Sequence, residues 1–177
     1  MKKSKFNTRR IVSLSLMAAI TVGLHYLEHV IPPLVPVPGF RLGLSNLVTL
    51  FVLFYYGGPS YIFITLIKLL MVPLIATGFG PQFYLSLGGT LTSMVVSLLL
   101  YYLVKPSMYG LSIPSALAHT LGQLIAFAIY IGNFQIFIYL VVLGPLSFAT
   151  GTIIALIDTM LMKRIPSSFL REEKIRR

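Results

Sequence analysis

The sequence predicts an all-α integral membrane protein, built as a bundle of six transmembrane helices. Of its 177 residues, 56% are hydrophobic and only 10% are charged, whereas a soluble domain has about 25% charged residues. Apolar runs of about 18 to 25 residues recur along the chain, each long enough to cross a hydrocarbon core about 30 Å thick. Helices are expected because a backbone in lipid must satisfy its own hydrogen bonds.

The individual spans follow from the Pro and Gly residues that interrupt these runs. Gly57-Gly58-Pro59 ends a short second run, Gly78-Phe79-Gly80-Pro81 ends the third, and Gly132-Asn133 ends the fifth. The predicted spans are 11–31, 44–58, 60–78, 82–104, 111–131 and 134–162. Together they form one membrane domain, 11–162, between a basic N-terminus, 1–10, and a basic tail, 163–177.

The net charge of +10 is concentrated at the two ends of the chain. Five of the fourteen Lys and Arg residues lie in the first ten positions, and six lie between Lys163 and Arg177. Basic segments beside apolar spans are typical of cytoplasmic flanks, so we expect a multi-pass protein of the cell membrane, embedded in the lipid bilayer, with both termini cytoplasmic. No nucleic-acid partner is expected, because no folded soluble surface carries the charge. Arg41 is an exception on the outer side, either touching lipid headgroups or belonging to a functional site.

Small residues recur at helical spacing in three spans. Ser15, Ala19 and Gly23 do so in the first span, and small residues at this spacing let a second helix approach closely in lipid. The spacing leaves open whether that helix belongs to this chain or to another subunit. In two later spans the same pattern predicts packing within the bundle: Gly89, Ser93 and Ser97, and Ala118, Gly122 and Ala126.

Polar side chains at membrane depth are the main functional candidates, because they are costly there unless they face protein, a cavity or a ligand. Lys68 lies in the middle of the third span, too deep for its amine to reach water easily. His119 and Gln123 are four residues apart, so they share one face of the fifth helix. We expect all three residues to bind substrate in a cavity, and an interhelical hydrogen bond is the alternative for the pair.

Three more candidates lie near the predicted outer side. Arg41 and Asn46 stand at the start of the second span, where open helix N–H groups can help to hold an anionic or polar group. Gln82 opens the fourth span and is expected at the rim of the same outer mouth. The predicted substrate-binding set therefore also includes Arg41, Asn46 and Gln82.

Two acidic residues lie within the predicted spans. Glu28 stands with His25 and His29 at a spacing that suits a metal, but their place at the membrane interface favours a solvated cap, and no metal site is assigned. Asp158 lies near the cytoplasmic end of the last span, five residues before Lys163. We expect it to pair with a basic residue or to contact a partner rather than to bind substrate.

Three ordered motifs resemble those of the Gx transporter family, which is often labelled heptaprenyl diphosphate synthase component I. The resemblance covers residues 11–162. Two details differ, since Thr120 stands where the family more usually has Asn and Phe40 is bulkier than the common aliphatic residue. The motifs are Pro38-Gly39-Phe40-Arg41-Leu42-Gly43-Leu44-Ser45-Asn46, Phe83-Tyr84-Leu85-Ser86-Leu87-Gly88-Gly89 and Ala118-His119-Thr120-Leu121-Gly122-Gln123.

That family is in turn similar to the substrate-binding S-components of energy-coupling factor (ECF) transporters. The resemblance implies six helices, a vitamin-like small-molecule substrate, and a small-residue motif in the first helix that docks onto a transmembrane coupling subunit. Ser15, Ala19 and Gly23 occupy that place, although Ser and Gly depart from the usual paired alanines. The family's gene neighbourhoods suggest a flavin or an isoprenoid precursor as the ligand. Cytoplasmic ATPase partners would supply energy, because the chain has no phosphate-binding Gly-Lys-Ser/Thr loop.

Catalysis is not expected, and no catalytic residue or cofactor is assigned. Prenyl diphosphate chemistry needs clustered carboxylates that hold Mg²⁺, and the chain has only four acidic residues. A non-catalytic accessory role in prenyl diphosphate or quinone synthesis remains an alternative. A rhomboid-like intramembrane serine hydrolase, with Ser45 and His119 as the reacting pair, is a weaker one, since Asn46 replaces the expected Gly after the serine.

Overall fold

A computed structural model describes residues 8–30 and 43–164. The described residues form helices and no strand, in agreement with the predicted all-α class. A π-helical turn, Pro73–Thr77, extends the third α-helix, a second, Leu100–Val104, extends the fourth, and a 3₁₀ turn, Phe134–Tyr139, precedes the sixth. The α-helices are α1 (Thr8–Val30), α2 (Leu44–Tyr56), α3 (Gly58–Val72), α4 (Pro81–Leu99), α5 (Met108–Ile131) and α6 (Leu140–Arg164).

Within residues 8–30 and 43–164, five helical segments are long and apolar enough to cross a membrane, and these are Arg10–Glu28, Gly58–Thr77, Pro81–Val104, Met108–Ile131 and Phe134–Arg164. The second predicted span, 44–58, is a helix of 13 residues. At about 1.5 Å per residue α2 reaches about 20 Å, which is less than the hydrocarbon thickness of about 30 Å. The fold is therefore an apolar helical bundle in which α2 is shorter than the six-span prediction requires.

One end of the bundle carries basic residues and is here called the basic end, defined by Arg10, Lys105 and Arg164. The Arg10 guanidinium donates to the carbonyl of Tyr56, at 3.1 Å, and to the Ser60 hydroxyl, at 3.3 Å. These bonds bring the start of α1 to the turn between α2 and α3. Arg10 thereby places a positive charge at the C-terminal carbonyls of α2, where the helix dipole favours it.

The turn between α2 and α3 consists of the single residue Gly57. Its φ of 80° lies in the region that side chains disfavour, and its carbonyl already accepts from the amide of Tyr61 in α3. Pro59 follows within the first turn of α3, where a missing N–H costs nothing. The two helices therefore run antiparallel from one residue, and positions equally far from Gly57 lie at the same depth.

The closest helix pair is α4 with α5, and α6 packs on the other side of α5. Gly88 and Gly122 face each other at the crossing, and Thr92 donates its hydroxyl proton there to the carbonyl of Ala118 at 2.9 Å or to carbonyls in its own helix. Ala126 completes the contact, since a Cβ at position 88 would overlap it. Small residues in the fourth and fifth spans thus pack within the bundle, as the sequence predicts.

Two apolar clusters stabilise the bundle and leave the polar site between them. The larger surrounds α2 and includes Leu53, Ile64 and Leu111, which have no exposed surface. The smaller lies among α5, the 3₁₀ turn and α6, and includes Leu124 and Leu143. Burial of such side chains stabilises a fold by about 1.5–3 kcal/mol each in water, but in lipid the close packing itself carries that role.

Candidate functional site: a polar cavity inside the bundle

A polar cavity lies where α1, α2, α3, α5 and α6 meet. Ten of its fourteen lining residues have polar side chains. Its volume is about 30 Å³, enough for about two water molecules. The cavity therefore suits a small polar group rather than a whole vitamin-sized molecule.

Lys68 lines this cavity from α3 and is 2% exposed. Its Nζ donates to Asn46 Oδ1 at 2.8 Å and to Ser45 Oγ at 3.3 Å. Asn46 stands eleven residues before Gly57 and Lys68 eleven residues after it, so the tight turn puts the two at equal depth, about 16 Å from it. The short α2 thus begins level with the last turn of α3, before the π-helical turn that extends it.

Glu28 holds the beginning of α2 in place. Its Oε1 accepts from the Leu44 amide at 2.5 Å, and its Oε2 lies 3.5 Å from both the Ser45 hydroxyl and His25 Nδ1. A carboxylate at a helix N-terminus satisfies an open N–H and opposes the helix dipole. The helix N-terminus that was predicted to hold an anionic group therefore already holds one from α1.

The expected solvated cap at the end of α1 is wrong for His25 and Glu28. Their side chains are only 8% and 4% exposed, and both line the cavity. Both side chains are buried because of the depth at which α2 begins. The N-terminus of α2 lies inside the bundle, and the neighbouring turn of α1 lies there too. The side chain of His29 lies outside the described part of the structure.

His119 and Gln123 enter the cavity from α5, one helical turn apart. Gln123 is 3% exposed, and its Nε2 has no hydrogen-bond partner among the described residues. Gly89 of α4 makes room for the pair, since a Cβ there would stand 2.6 Å from the Gln123 Cγ and 2.8 Å from the His119 Cε1. The cavity thus presents a buried amide donor that an acceptor on a ligand would satisfy.

Other residues of the predicted binding set lie elsewhere. Gln82 is exposed at the start of α4 and does not line the cavity. Arg41 lies outside the described residues. Ser15, Ala19 and Gly23 form an exposed stripe on α1, and in the described part of the chain no other helix lies within 4 Å of where a Gly23 Cβ would stand.

Ser45, the reacting residue of the weaker hydrolase alternative, has two close polar neighbours in the cavity. Its hydroxyl lies 3.4 Å from His25 Nδ1 and 3.3 Å from Lys68 Nζ. His119, the other residue of that alternative, lines the same cavity from α5. Lys68 donates to Ser45 and Asn46 as an ammonium would, so this contact stabilises the lysine charge rather than removing the serine proton.

Sequence reasoning missed part of the lining on α5 and α6. Thr120 and Ser147 form a hydrogen bond there, and Thr150 stands beside them. Ser147 and Thr150 are three residues apart in an apolar run, so they share one face of α6. A shared helix face is also the signal that identified His119 and Gln123. Among the described residues no group of three or more His, Asp or Glu side chains is placed to hold a metal ion.

Comparison with known proteins gives one family. The family model described as heptaprenyl diphosphate synthase component I matches residues 17–161. No curated protein and no solved structure matches the chain. The matched range includes every residue that lines the polar cavity.

Proposed function

The chain belongs to the heptaprenyl diphosphate synthase component I family, and from this premise we propose that it is the substrate-binding membrane subunit of an ECF-type small-molecule transporter. The observation that carries the proposal is the buried Lys68 with its partners Asn46 and Ser45, inside a cavity of an apolar bundle. Ionisable groups at membrane depth mark ligand or ion sites by default. Burying such a group costs free energy, and a ligand that pairs with the group offsets this cost.

The donors of the cavity indicate which part of a ligand binds there. Lys68 supplies an ammonium group, and Gln123 supplies an amide whose Nε2 has no partner among the described residues. A phosphate or carboxylate oxygen, or a ring carbonyl, would accept from both. A volume of about 30 Å³ takes only such a head group, and the rest of a flavin or isoprenoid-related ligand would lie outside the cavity. Neither group is catalytic in this proposal, and no cofactor is required.

Transport would depend on partner subunits. The exposed stripe of Ser15, Ala19 and Gly23 on α1 offers a close approach to a helix of a coupling subunit, because small residues let backbones meet. Cytoplasmic ATPases would supply energy, since the chain has no nucleotide-binding loop. Under the positive-inside rule the basic end of the bundle, with Lys105, faces the cytoplasm.

The test is native mass spectrometry of the protein released gently from its own membrane. We expect one small molecule per chain in the wild type, lost from Lys68→Met and kept in Lys105→Met, which removes a lysine at the basic end. Copurified ATPase and coupling subunits would support the transporter assignment further. Retention of the molecule by Lys68→Met would contradict the assignment of the cavity.

A second candidate rests on the description of the family. A synthase component without its own carboxylate cluster would act as a non-catalytic membrane accessory of prenyl diphosphate or quinone synthesis. Glu28, the one acidic residue of the cavity, already accepts from Leu44. Copurification of a prenyl synthase, with neither a bound small molecule nor ATPase subunits, would favour this second function.

A further inference from the structure

The opposite charges that line the polar cavity balance each other. Lys68 supplies one ammonium group and Glu28 one carboxylate. The other ionisable side chains of the described lining are the imidazoles of His25 and His119. Ser45 links the two charges, because its hydroxyl accepts from Lys68 Nζ at 3.3 Å and lies 3.5 Å from Glu28 Oε2. With neutral imidazoles the described lining therefore carries no net charge.

A ligand anion would disturb this balance. Its charge would stay uncompensated inside an apolar bundle, and burying an uncompensated charge costs far more than burying a polar group that is hydrogen-bonded. Lys68 does not remove this cost, since Glu28 already balances the lysine charge. The charges of the lining thus favour a neutral polar group as the occupant of the cavity.

The cavity offers hydrogen-bond donors from two helices. On α5, Gln123 is 3% exposed, and its Nε2 has no partner among the described residues. On α3, the Lys68 ammonium has three protons, of which Asn46 and Ser45 each accept one. A buried donor without an acceptor keeps the full cost of its desolvation. A ligand that binds here should therefore bring carbonyl oxygens as acceptors.

The cavity also offers acceptors, which are hydroxyl groups of α5 and α6. Each hydroxyl has one proton and two lone pairs. Ser147 donates its proton to the Leu143 carbonyl at 2.6 Å, so the hydrogen bond between Thr120 and Ser147 uses the Thr120 proton. Thr150 donates to the Ser147 carbonyl at 3.2 Å. The lone pairs that remain on these hydroxyl groups suit an N–H group of a ligand and repel an anionic oxygen.

We propose that the polar cavity binds the imide edge of a neutral ring, in which one N–H group lies between two carbonyl groups. The carbonyl oxygens accept from Gln123 and Lys68, and the N–H group donates to a hydroxyl oxygen of Thr120, Ser147 or Thr150. This inference rests on the proposed transport function and narrows its ligand, since a flavin has such an edge and a prenyl diphosphate has none. A cavity of about 30 Å³ takes such an edge and leaves the rest of the ring outside.

The test compares three probes that differ in this edge. Lumiflavin is a neutral flavin ring that carries the imide N–H group, 3-methyllumiflavin has a methyl group in place of that proton, and geranyl diphosphate is an anion without an imide. Equilibrium dialysis against the full-length protein in detergent, with protein-free micelles as the blank, measures each dissociation constant. We expect saturable binding of one lumiflavin per chain. The other two probes should bind about tenfold more weakly or worse, as expected when a hydrogen bond is lost.

A substitution at Gln123 tests where the ring binds. Gln123→Leu removes the unpartnered amide and should weaken lumiflavin binding about tenfold. Gln135→Leu is the matched control, because Gln135 is exposed and does not line the cavity, and it should bind lumiflavin as the wild type does. Gln123→Met, which is closer to glutamine in shape, replaces Gln123→Leu if circular dichroism shows that variant to be unfolded.

Several results would overturn the imide assignment. These are equal affinity for lumiflavin and 3-methyllumiflavin, tighter binding of geranyl diphosphate, unchanged lumiflavin binding after the Gln123 substitution, and no saturable lumiflavin binding by the wild type. The transporter assignment is tested separately, by the small molecule that copurifies with the protein. It would stand if that molecule were present and lumiflavin failed to bind.

Discussion

Lys68 Nζ and Asn46 Oδ1 lie 2.8 Å apart, on two helices joined by the single residue Gly57. The contact follows from chain geometry, because each residue is eleven positions from Gly57 in an antiparallel pair. It joins the site to the shortest helix of the bundle. The depth at which α2 begins therefore sets the depth of the cavity.

The Lys68–Asn46 contact predicts a non-additive pair of substitutions. Lys68→Met leaves the half-buried Asn46 oxygen without its donor and should lower the free energy of unfolding by about 1–3 kcal/mol. Adding Asn46→Leu removes the stranded oxygen as well, so the double variant should lose less than the sum of the single variants. Denaturant unfolding in mixed micelles measures the four free energies. Additive losses would show that the two side chains do not interact.

Two substitutions of Glu28 should destabilise the start of α2 to different degrees. Glu28→Ala removes the acceptor of the Leu44 amide and should cost about 1–3 kcal/mol of stability, as expected for a hydrogen bond to a charged group. Glu28→Gln keeps an oxygen at that amide and should cost less. Thermal unfolding by circular dichroism ranks the variants. Equal losses in both variants would mean that the charge, and not the capping bond, carries the effect.

The crossing of α4 and α5 predicts sensitivity to one added methyl group. In Gly122→Ala the new Cβ would overlap Thr92 and the carbonyl of Gly88, so the helices must separate, at a cost of about 1–3 kcal/mol. Gly23→Ala on the exposed face of α1 is the control, since none of the residues that the structure describes would contact its Cβ within 4 Å. It should stabilise α1 by roughly 0.5–1 kcal/mol. If both variants unfold alike, the crossing is looser than described.

Much of the fold could be predicted from composition and turn residues. Five of the six predicted spans correspond to helices of sufficient length and apolar character. The second does not, because apolar residues after Gly43 fill a helix of only 13 residues. Pro and Gly were a good guide to where the helices end in the sequence, but the depth at which α2 begins depends on its contacts with Glu28.

The site was only partly predictable for the same reason. Lys68 and Gln123 stood out as polar residues within apolar runs, and the structure brings both to one cavity. His25 and Glu28 lie at the end of their span in sequence, so an interfacial position was the natural interpretation. They line the cavity because α2 begins inside the bundle. Arg41 lies outside the described residues, and its place in the binding set stays a prediction.

Gly89 tests the site without requiring any ligand. A Cβ at this position would stand 2.6 Å from Gln123 Cγ and 2.9 Å from His119 Nδ1. Both contacts involve side-chain atoms, so Gly89→Ala should rotate these side chains rather than separate α4 from α5. Spectra of ¹⁵N-histidine-labelled protein should then show a shifted His119 signal, assigned by His119→Gln, in a protein that is still folded.

Gly144→Ala supplies the comparison, because its Cβ would meet no atom within 4 Å among residues 8–30 and 43–164, and Gly144 does not line the cavity. Its His119 signal should match that of the wild type. A copurifying small molecule should also bind more weakly to Gly89→Ala, by about tenfold if one hydrogen bond of about 1.4 kcal/mol is lost. An unchanged His119 signal in Gly89→Ala would mean that α4 does not fix the α5 side chains, and the cavity would then owe its shape to α2 and α3 alone.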